Sequence, residues 1–305
     1  MNTERDLLFA PMERIDPSHH VHSSVIFSYW RDALRRLQSN RVAMGAFFFL
    51  LFLIAMALIG PLLTPYPYFE THLPLKNQSP SLAFWFGTDE LGRDLFTRIW
   101  WGARISLFVG ISAALIDLVV GILWGATAAF FGGKVDEVLM RTADILYSIP
   151  YLLLVILLMV VIGQGLFTII LALTFTGWIS MARIVRGQVL QLKHYDFIKA
   201  AIALGASKKR ILFLHLIPNC MGPIIVTMTL TIPTAIFAEA FLSFLGLGVQ
   251  APIASWGTMV NDGLSALRYY PWRLFFPASF ITLTMLSFNF LGDGLRDAFD
   301  PRLHR

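Results

Sequence analysis

The stretch KAAIALGASKKRILFLHLIPN, Lys199 to Asn219, is a basic, glycine-jointed segment in a chain that is otherwise strongly apolar. Residues Phe197 to Leu204 are rich in Ala, Ile and Leu and read as helix. Gly205 and Ala206 then supply a flexible joint and Ser207 a good N-cap, so a second short helix is expected to start there and to end before Pro218. Lys208, Lys209 and Arg210 fall in the first turn of that second helix, where the helix dipole disfavours each cation by about 0.3–1 kcal/mol. Something outside the helix has to compensate. Anionic lipid headgroups would account for the lysines, but not for the small-residue face of Ala200, Ala201, Gly205 and Ala206, which lets another surface approach closely. On the residues alone, a docked protein and a lipid surface both remain open.

The rest of the chain says where this segment sits. Hydrophobic residues make up 56% of the 305 and charged ones 14%, with a mean hydropathy of +0.66; soluble domains carry about 25% charged residues. This is the composition of an integral membrane protein. Apolar runs of about 20 residues cross a hydrocarbon core about 30 Å thick as helices, whereas barrel strands would be short and alternating. Six helical spans are expected, over residues 42–63, 105–131, 145–162, 166–182, 221–242 and 275–291. The first stops at PLLTPYPY, where prolines break the helix.

Around these spans, residues 1–27 read as a disordered cytoplasmic tail without the apolar core of a cleaved signal. Residues 28–41 read as an amphipathic interfacial helix with Trp30, Leu34 and Leu37 on one face. Residues 64–104 form an extracytoplasmic segment, and 105–305 a transmembrane domain that contains the cytoplasmic loop 197–219. With the N-terminus inside, 18 of the 24 Lys and Arg fall on the cytoplasmic side and six on the other, so both termini are expected inside. The opening stretch is then cytoplasmic.

Candidate chemistry is sparse. No G-x-x-x-x-G-K-[ST] occurs, and Gly132-Gly133-Lys134 lacks the earlier glycine, so the chain cannot cradle ATP phosphates by that route. Asp117 lies mid-span, where facing lipid would cost about 2.5–3.5 kcal/mol; it is expected to face a helix or a pathway, either bonded to a Ser or Thr or contacting substrate or a coupling ion. Asp89, Glu90, Arg93, Asp94 and Arg98 cluster outside the membrane, as a solvated network or a docking surface. His19, His20 and His22 have no acidic or cysteine neighbours, so no metal site is expected, and Cys220, the one cysteine, reads as a small residue at a span end. Nothing has the context of a catalytic constellation.

The loop resembles the EAA loop of binding-protein-dependent ABC import permeases, through Ala200, Ala201, Gly205, His215 and Pro218, with Lys199 where that loop usually carries Glu. FGTDELGRDLFTRIWWGARISL (Phe86 to Leu107), AEAFLSFLGLGVQAPIASWGTMVNDG (Ala238 to Gly263) and the C-terminal NFLGDGLRDAFDPRL are similar to segments of oligopeptide and dipeptide permease subunits, and the resemblance runs from about Ser28 to Leu303.

It implies an all-α, six-span type I ABC importer permease fold in a bacterial cytoplasmic membrane, not itself an enzyme. It further implies a second homologous permease, two cytoplasmic ATPases that hold ATP and Mg, and an extracytoplasmic binding protein, with no cofactor on this chain. Under it, Lys199, Ala200, Ala201, Gly205, Ala206, Ser207, Lys208, His215 and Pro218 form the ATPase-coupling loop. Asp117 and Glu239, the latter at the family's AEA position, are candidates for the substrate path or gate, and Asp89, Arg93 and Asp94 for binding-protein docking. The rival is a self-sufficient secondary transporter that uses Asp117 and Glu239 as proton-linked carboxylates.

Overall fold

The structure, a computed structural model, describes residues 25–299, with side chains from residue 30 onward. All but the last three residues of the tail, including His19, His20 and His22, lie outside the described residues. The helices, in order, are α1 Val25–Ser39, α2 Arg41–Ile59, α3 Leu95–Phe131, α4 Gly133–Tyr147, α5 Tyr151–Ile162 and α6 Leu166–Leu192. There follow α7 Asp196–Ala203, α8 Lys208–Arg210, a π-helical segment Ile211–Leu216, α9 Ile217–Asn219, α10 Met221–Phe244, α11 Trp256–Leu264 and α12 Trp272–Phe299.

Five of these, α2, α3, α6, α10 and α12, are long and apolar enough to cross a membrane. The sixth crossing differs from the straight helix expected over 145–162: α4 and α5 meet at a bend of 81°. Pro150 causes the break. It lacks an N–H to continue the helix and pushes Ile149 out of the α region, while the Ser148 hydroxyl donates to the Ile145 carbonyl (2.7 Å) and closes the end of α4.

The second span also differs, because α3 begins at Leu95, ten residues before the expected start. Asp94 is its N-cap, accepting from the Thr97 N–H (2.9 Å) and hydroxyl (2.7 Å). At 37 residues, α3 is about 55 Å long by its rise per residue, well beyond the hydrocarbon thickness. Its first turns carry Arg98 and Arg104, which lower the hydropathy; Arg98 donates to the Tyr68 carbonyl (3.3 Å) and pairs with Asp89 (3.4 Å). Arg104 donates to the Ala57 and Leu58 carbonyls at the C-terminal end of α2, the end where a cation is favoured.

Helix α3 is the hub. Against lipid, the hydrophobic effect gives no net pull between helices, so close packing over small residues has to hold them. Gly121 and Gly125, a G-x-x-x-G pair on α3, let α6 come so close that a Cβ on Gly125 would sit 2.2 Å from the Ala182 carbonyl oxygen. On the opposite level Gly110 seats against Ile236 and the Ile232 carbonyl of α10, and α10 packs on α12, which packs on α2. One core cluster gathers Ile99, Trp100, Ile236, Trp256 and Phe288; another gathers Met181, Val185, Ile198, Ile211, Leu216 and Ile224 toward the cytoplasmic loop. The Trp30 ring meets Phe299 edge-on at 5.4 Å, so α1 lies on the end of α12 and the first and last described helices meet at one end of the bundle.

Candidate functional site

The loop of residues 197–219 is a built element. Helix α7 is pinned by Ile198, buried in the second core cluster. Its C-terminus closes in a Schellman turn: the Ala206 N–H bonds the Ala201 carbonyl (3.0 Å) and the Gly205 N–H bonds the Ile202 carbonyl (2.9 Å). Gly205 sits at φ +78°, a left-handed conformation that an L side chain adopts only at a cost. The expected flexible joint is therefore a fixed corner. Ser207 then caps α8, its hydroxyl accepting from the Arg210 N–H (3.3 Å). The second helix does not stop before Pro218, contrary to the sequence expectation. It widens into the π-helical turns of Ile211–Leu216 and runs on through Pro218 to Asn219, one residue short of α10. The wider turns relieve the clash that a proline makes with the preceding helical carbonyl.

Two contacts of α6, the helix that leads into this element, tie it to α3 and α4. The Lys193 ammonium donates to the Ala129 (2.9 Å) and Phe130 (3.1 Å) carbonyls at the end of α3. Arg186 clamps Asp136 of α4 with two bonds of 2.6 Å. What the element turns outward is partly apolar: Leu204 is 88% exposed and Ile202 58% exposed, beside exposed Lys199, Ala200, Gly205, Lys208 and Lys209. Lys199 holds Asp196 at 2.9 Å, while Ala201, Ala206 and His215 are half-buried.

Asp117 lies on α3 against α6, where Gly177 makes room for it: a Cβ there would lie 2.3 Å from the Asp117 Oδ2. The expected Ser or Thr hydrogen bond is not formed, and the Asp117 Oδ1 is buried without a partner. The carboxylate lines a cavity of about 440 Å³ between α3, α5, α6 and α10, with Tyr151, Ser180, Thr227 and Thr231 on its walls.

Glu239 is not in that cavity. It is fully buried, accepting from the Ser243 (2.8 Å) and Ser106 (3.0 Å) hydroxyls, and the Trp256 N–H donates to the same Ser106 oxygen (3.3 Å). It knots α3, α10 and α11 together. Ser106 precedes Asp117 by eleven residues on α3, about 16 Å along the axis, so the two carboxylates sit at different levels.

The cluster of Asp89, Arg93, Asp94 and Arg98 is folded inward. All four are buried, which is neither the solvated network nor the exposed docking surface that the sequence allowed. Asp89 accepts from Arg93 (2.7 Å) and pairs with Arg98 (3.4 Å), and Arg98 reaches Asp262 of α11 at 3.9 Å. Arg273 joins Glu90 (2.9 Å) and Asn77 (3.2 Å) to α12. Partial burial pushes the Asp262 carboxyl above its usual range, against the pull of Arg98. The network fastens the 64–94 segment onto α3, α11 and α12, and the exposed Glu90 is its outermost charge.

Sequence reasoning missed Lys193, Arg186 and the Gly121/Gly125 pair. The G-x-x-x-G spacing was a readable signal for the last, whereas the partners of Lys193 are backbone carbonyls and those carry no sequence signature.

Residues 118–305 match the family described as binding-protein-dependent transport system inner membrane component, and residues 28–80 match the N-terminal TM domain of oligopeptide transport permease C. Among curated relatives, the oligopeptide transport system permease protein OppC of Bacillus subtilis (strain 168) is 59% identical over 278 residues, covering 91% of each chain. The dipeptide transport system permease protein DppC of the same organism is 60% identical over 279 residues, covering 91% of this chain and 87% of its own. Among solved structures, an inward-facing form of the MetNI methionine ABC transporter matches with a TM-score of 0.53 at 20% identity, over 65% of this chain and 94% of that one. That likeness establishes the fold.

Proposed function

This chain belongs to the family of binding-protein-dependent transport system inner membrane components, and we propose that it forms one half of the membrane pathway of an ATP-driven importer of di- and oligopeptides. The observation that carries the reading is mechanical. Helices α7 and α8 present an exposed apolar and basic corner on the cytoplasmic side, and the helical run from Ser207 to Asn219 continues into α10, whose Thr227 and Thr231 line the Asp117 cavity. A push on that corner would be passed to the cavity wall through packed helix, with Lys193 and Arg186 bringing α3 and α4 along.

The partners follow from the chemistry that this chain leaves to others. A second, homologous permease would complete the path, and two cytoplasmic ATPases holding ATP and Mg would seat the α7–α8 corner. An extracytoplasmic binding protein would deliver the cargo. Closure of the ATPase pair then biases a rigid-body switch between two arrangements of the helices. The peptide cargo is supported by the names of the two Bacillus relatives and by a cavity of ligand size, largely apolar with a few polar groups. Lys199, exposed where the EAA loop usually carries Glu, would face an acidic group in the ATPase cleft. The secondary-transporter reading needs Asp117 and Glu239 to share a proton path, and their separate levels give it no support.

The test is affinity purification of the tagged chain from intact membranes in mild detergent. Two ATPase polypeptides and a second permease should co-purify in fixed ratio, and peptide-stimulated ATP hydrolysis should require added binding protein. A chain that purifies free of any ATPase and moves peptide on its own would overturn the proposal.

A further inference from the structure

The cavity beside Asp117 supports a sharper statement, which rests on the reading of that cavity as part of the peptide path. The buried carboxylates elsewhere have donors: Asp89 holds two arginines, Asp94 caps α3 and Glu239 takes two serine hydroxyls. Asp117 takes no hydrogen bond from any described residue, and its buried Oδ1 is bare. It is also the one charged residue in the cavity lining; no lysine, arginine, histidine or second acid faces it from α5, α6 or α10.

The groups that do face it are hydroxyls. The Thr227 and Thr231 hydroxyls already donate to the Pro223 (2.8 Å) and Thr227 (2.9 Å) carbonyls of their own helix, so toward the cavity they can only accept. The Tyr151 hydroxyl is buried without a partner. The lining therefore offers one negative charge, the accepting oxygens of Thr227 and Thr231, and the Tyr151 hydroxyl, which can accept or donate. That pattern suits a compact cation with several N–H donors and no acceptor of its own, and it repels a carboxylate.

A peptide carries one such group whatever its sequence, its terminal ammonium. We propose that Asp117 receives the free α-ammonium of the peptide as it passes through the cavity, with the surrounding hydroxyls accepting its remaining N–H bonds. The carboxylate would then orient the cargo amino end toward α3, and peptides with a blocked amino terminus would lose that hold.

The experiment uses the full transporter in nanodiscs without binding protein, so that selection by that protein does not intervene. Ser180→Cys places an exposed thiol in the cavity lining, while the native Cys220 is fully buried. The rate of maleimide modification at position 180 is measured against increasing Ala-Phe or N-acetyl-Ala-Phe, with Asp117 and with Asp117→Asn. With Asp117 present, Ala-Phe should protect at about tenfold lower concentration than its acetylated form, the effect of one charge-assisted hydrogen bond. Asp117→Asn should abolish that difference and leave protection by the acetylated peptide unchanged. Equal protection by the two peptides with Asp117 present would overturn the ammonium assignment and leave the path reading standing. No protection by either would remove the cavity from the path, and the assignment with it. The comparison between peptides in the Asp117 protein decides the question even if the Asn variant fails to fold.

Discussion

At Gly205, backbone cost and docking cost can be separated with three substitutions. The φ of +78° disfavours any L residue, by about 1–2 kcal/mol, and asparagine tolerates the left-handed region best. A Cβ built there meets no described atom of this chain within 4 Å, so Ala and Trp carry the same backbone cost and the Cβ itself clashes with nothing. A cost near 1 kcal/mol lowers the population of a formed turn about fivefold, and α7 remains pinned by Ile198 regardless. In proteoliposomes with all partner subunits, Gly205→Asn should therefore keep most ATP-driven peptide uptake. Gly205→Ala should lose a few-fold, and Gly205→Trp should fall at least a further tenfold below Ala while its melting temperature matches that of Ala. The gap between Ala and Trp reads the bulk of a partner in the open space over the corner. If Trp transports as well as Ala, that space is empty during turnover and the corner is not the coupling contact.

Two more perturbations test the frame. Gly125→Leu forces α3 and α6 apart at a backbone contact and should cost about 3 kcal/mol or more in detergent melts, whereas Gly187→Leu on α6, where a Cβ meets nothing within 4 Å, should leave the melt within about 1 kcal/mol. Equal effects would mean that the crossing is not close-packed there. Glu239→Gln keeps an acceptor for one serine and should melt well above Glu239→Ala, which strands the buried Ser106 and Ser243 hydroxyls at about 1–3 kcal/mol; a change in peptide selectivity without a change in melting would refute the packing role.

Much of this was legible before any coordinates, for physical reasons that differ by element. Apolar length alone located α2, α6, α10 and α12, because lipid demands it, and the charge asymmetry oriented them. The Gly205–Ser207 corner was readable because a left-handed turn and an N-cap each need particular residues. The early start of α3 was hidden because Arg98 and Arg104 read as solvent-facing. Besides the nearby Asp89, their partners are Asp262, the Tyr68 carbonyl and the carbonyls of α2, brought together only by folding. The α4–α5 bend turned on Pro150, in plain view but weighed below the apolar run that follows it. Burial of Asp89, Arg93 and Asp94 was illegible for the same reason as Arg98: opposite charges close in sequence look alike whether they face water or close a buried network.

In the proposed function this chain is moved by ATP bound elsewhere rather than by a proton gradient acting on its own carboxylates. The direct measurement is labelled-dipeptide uptake into proteoliposomes holding either this chain alone or this chain with its permease partner, ATPases and binding protein, with ATP and a pH gradient applied separately. Uptake only in the complete assembly, dependent on ATP and indifferent to the gradient, is the predicted result; uptake by the single chain that follows the gradient and ignores ATP would contradict it.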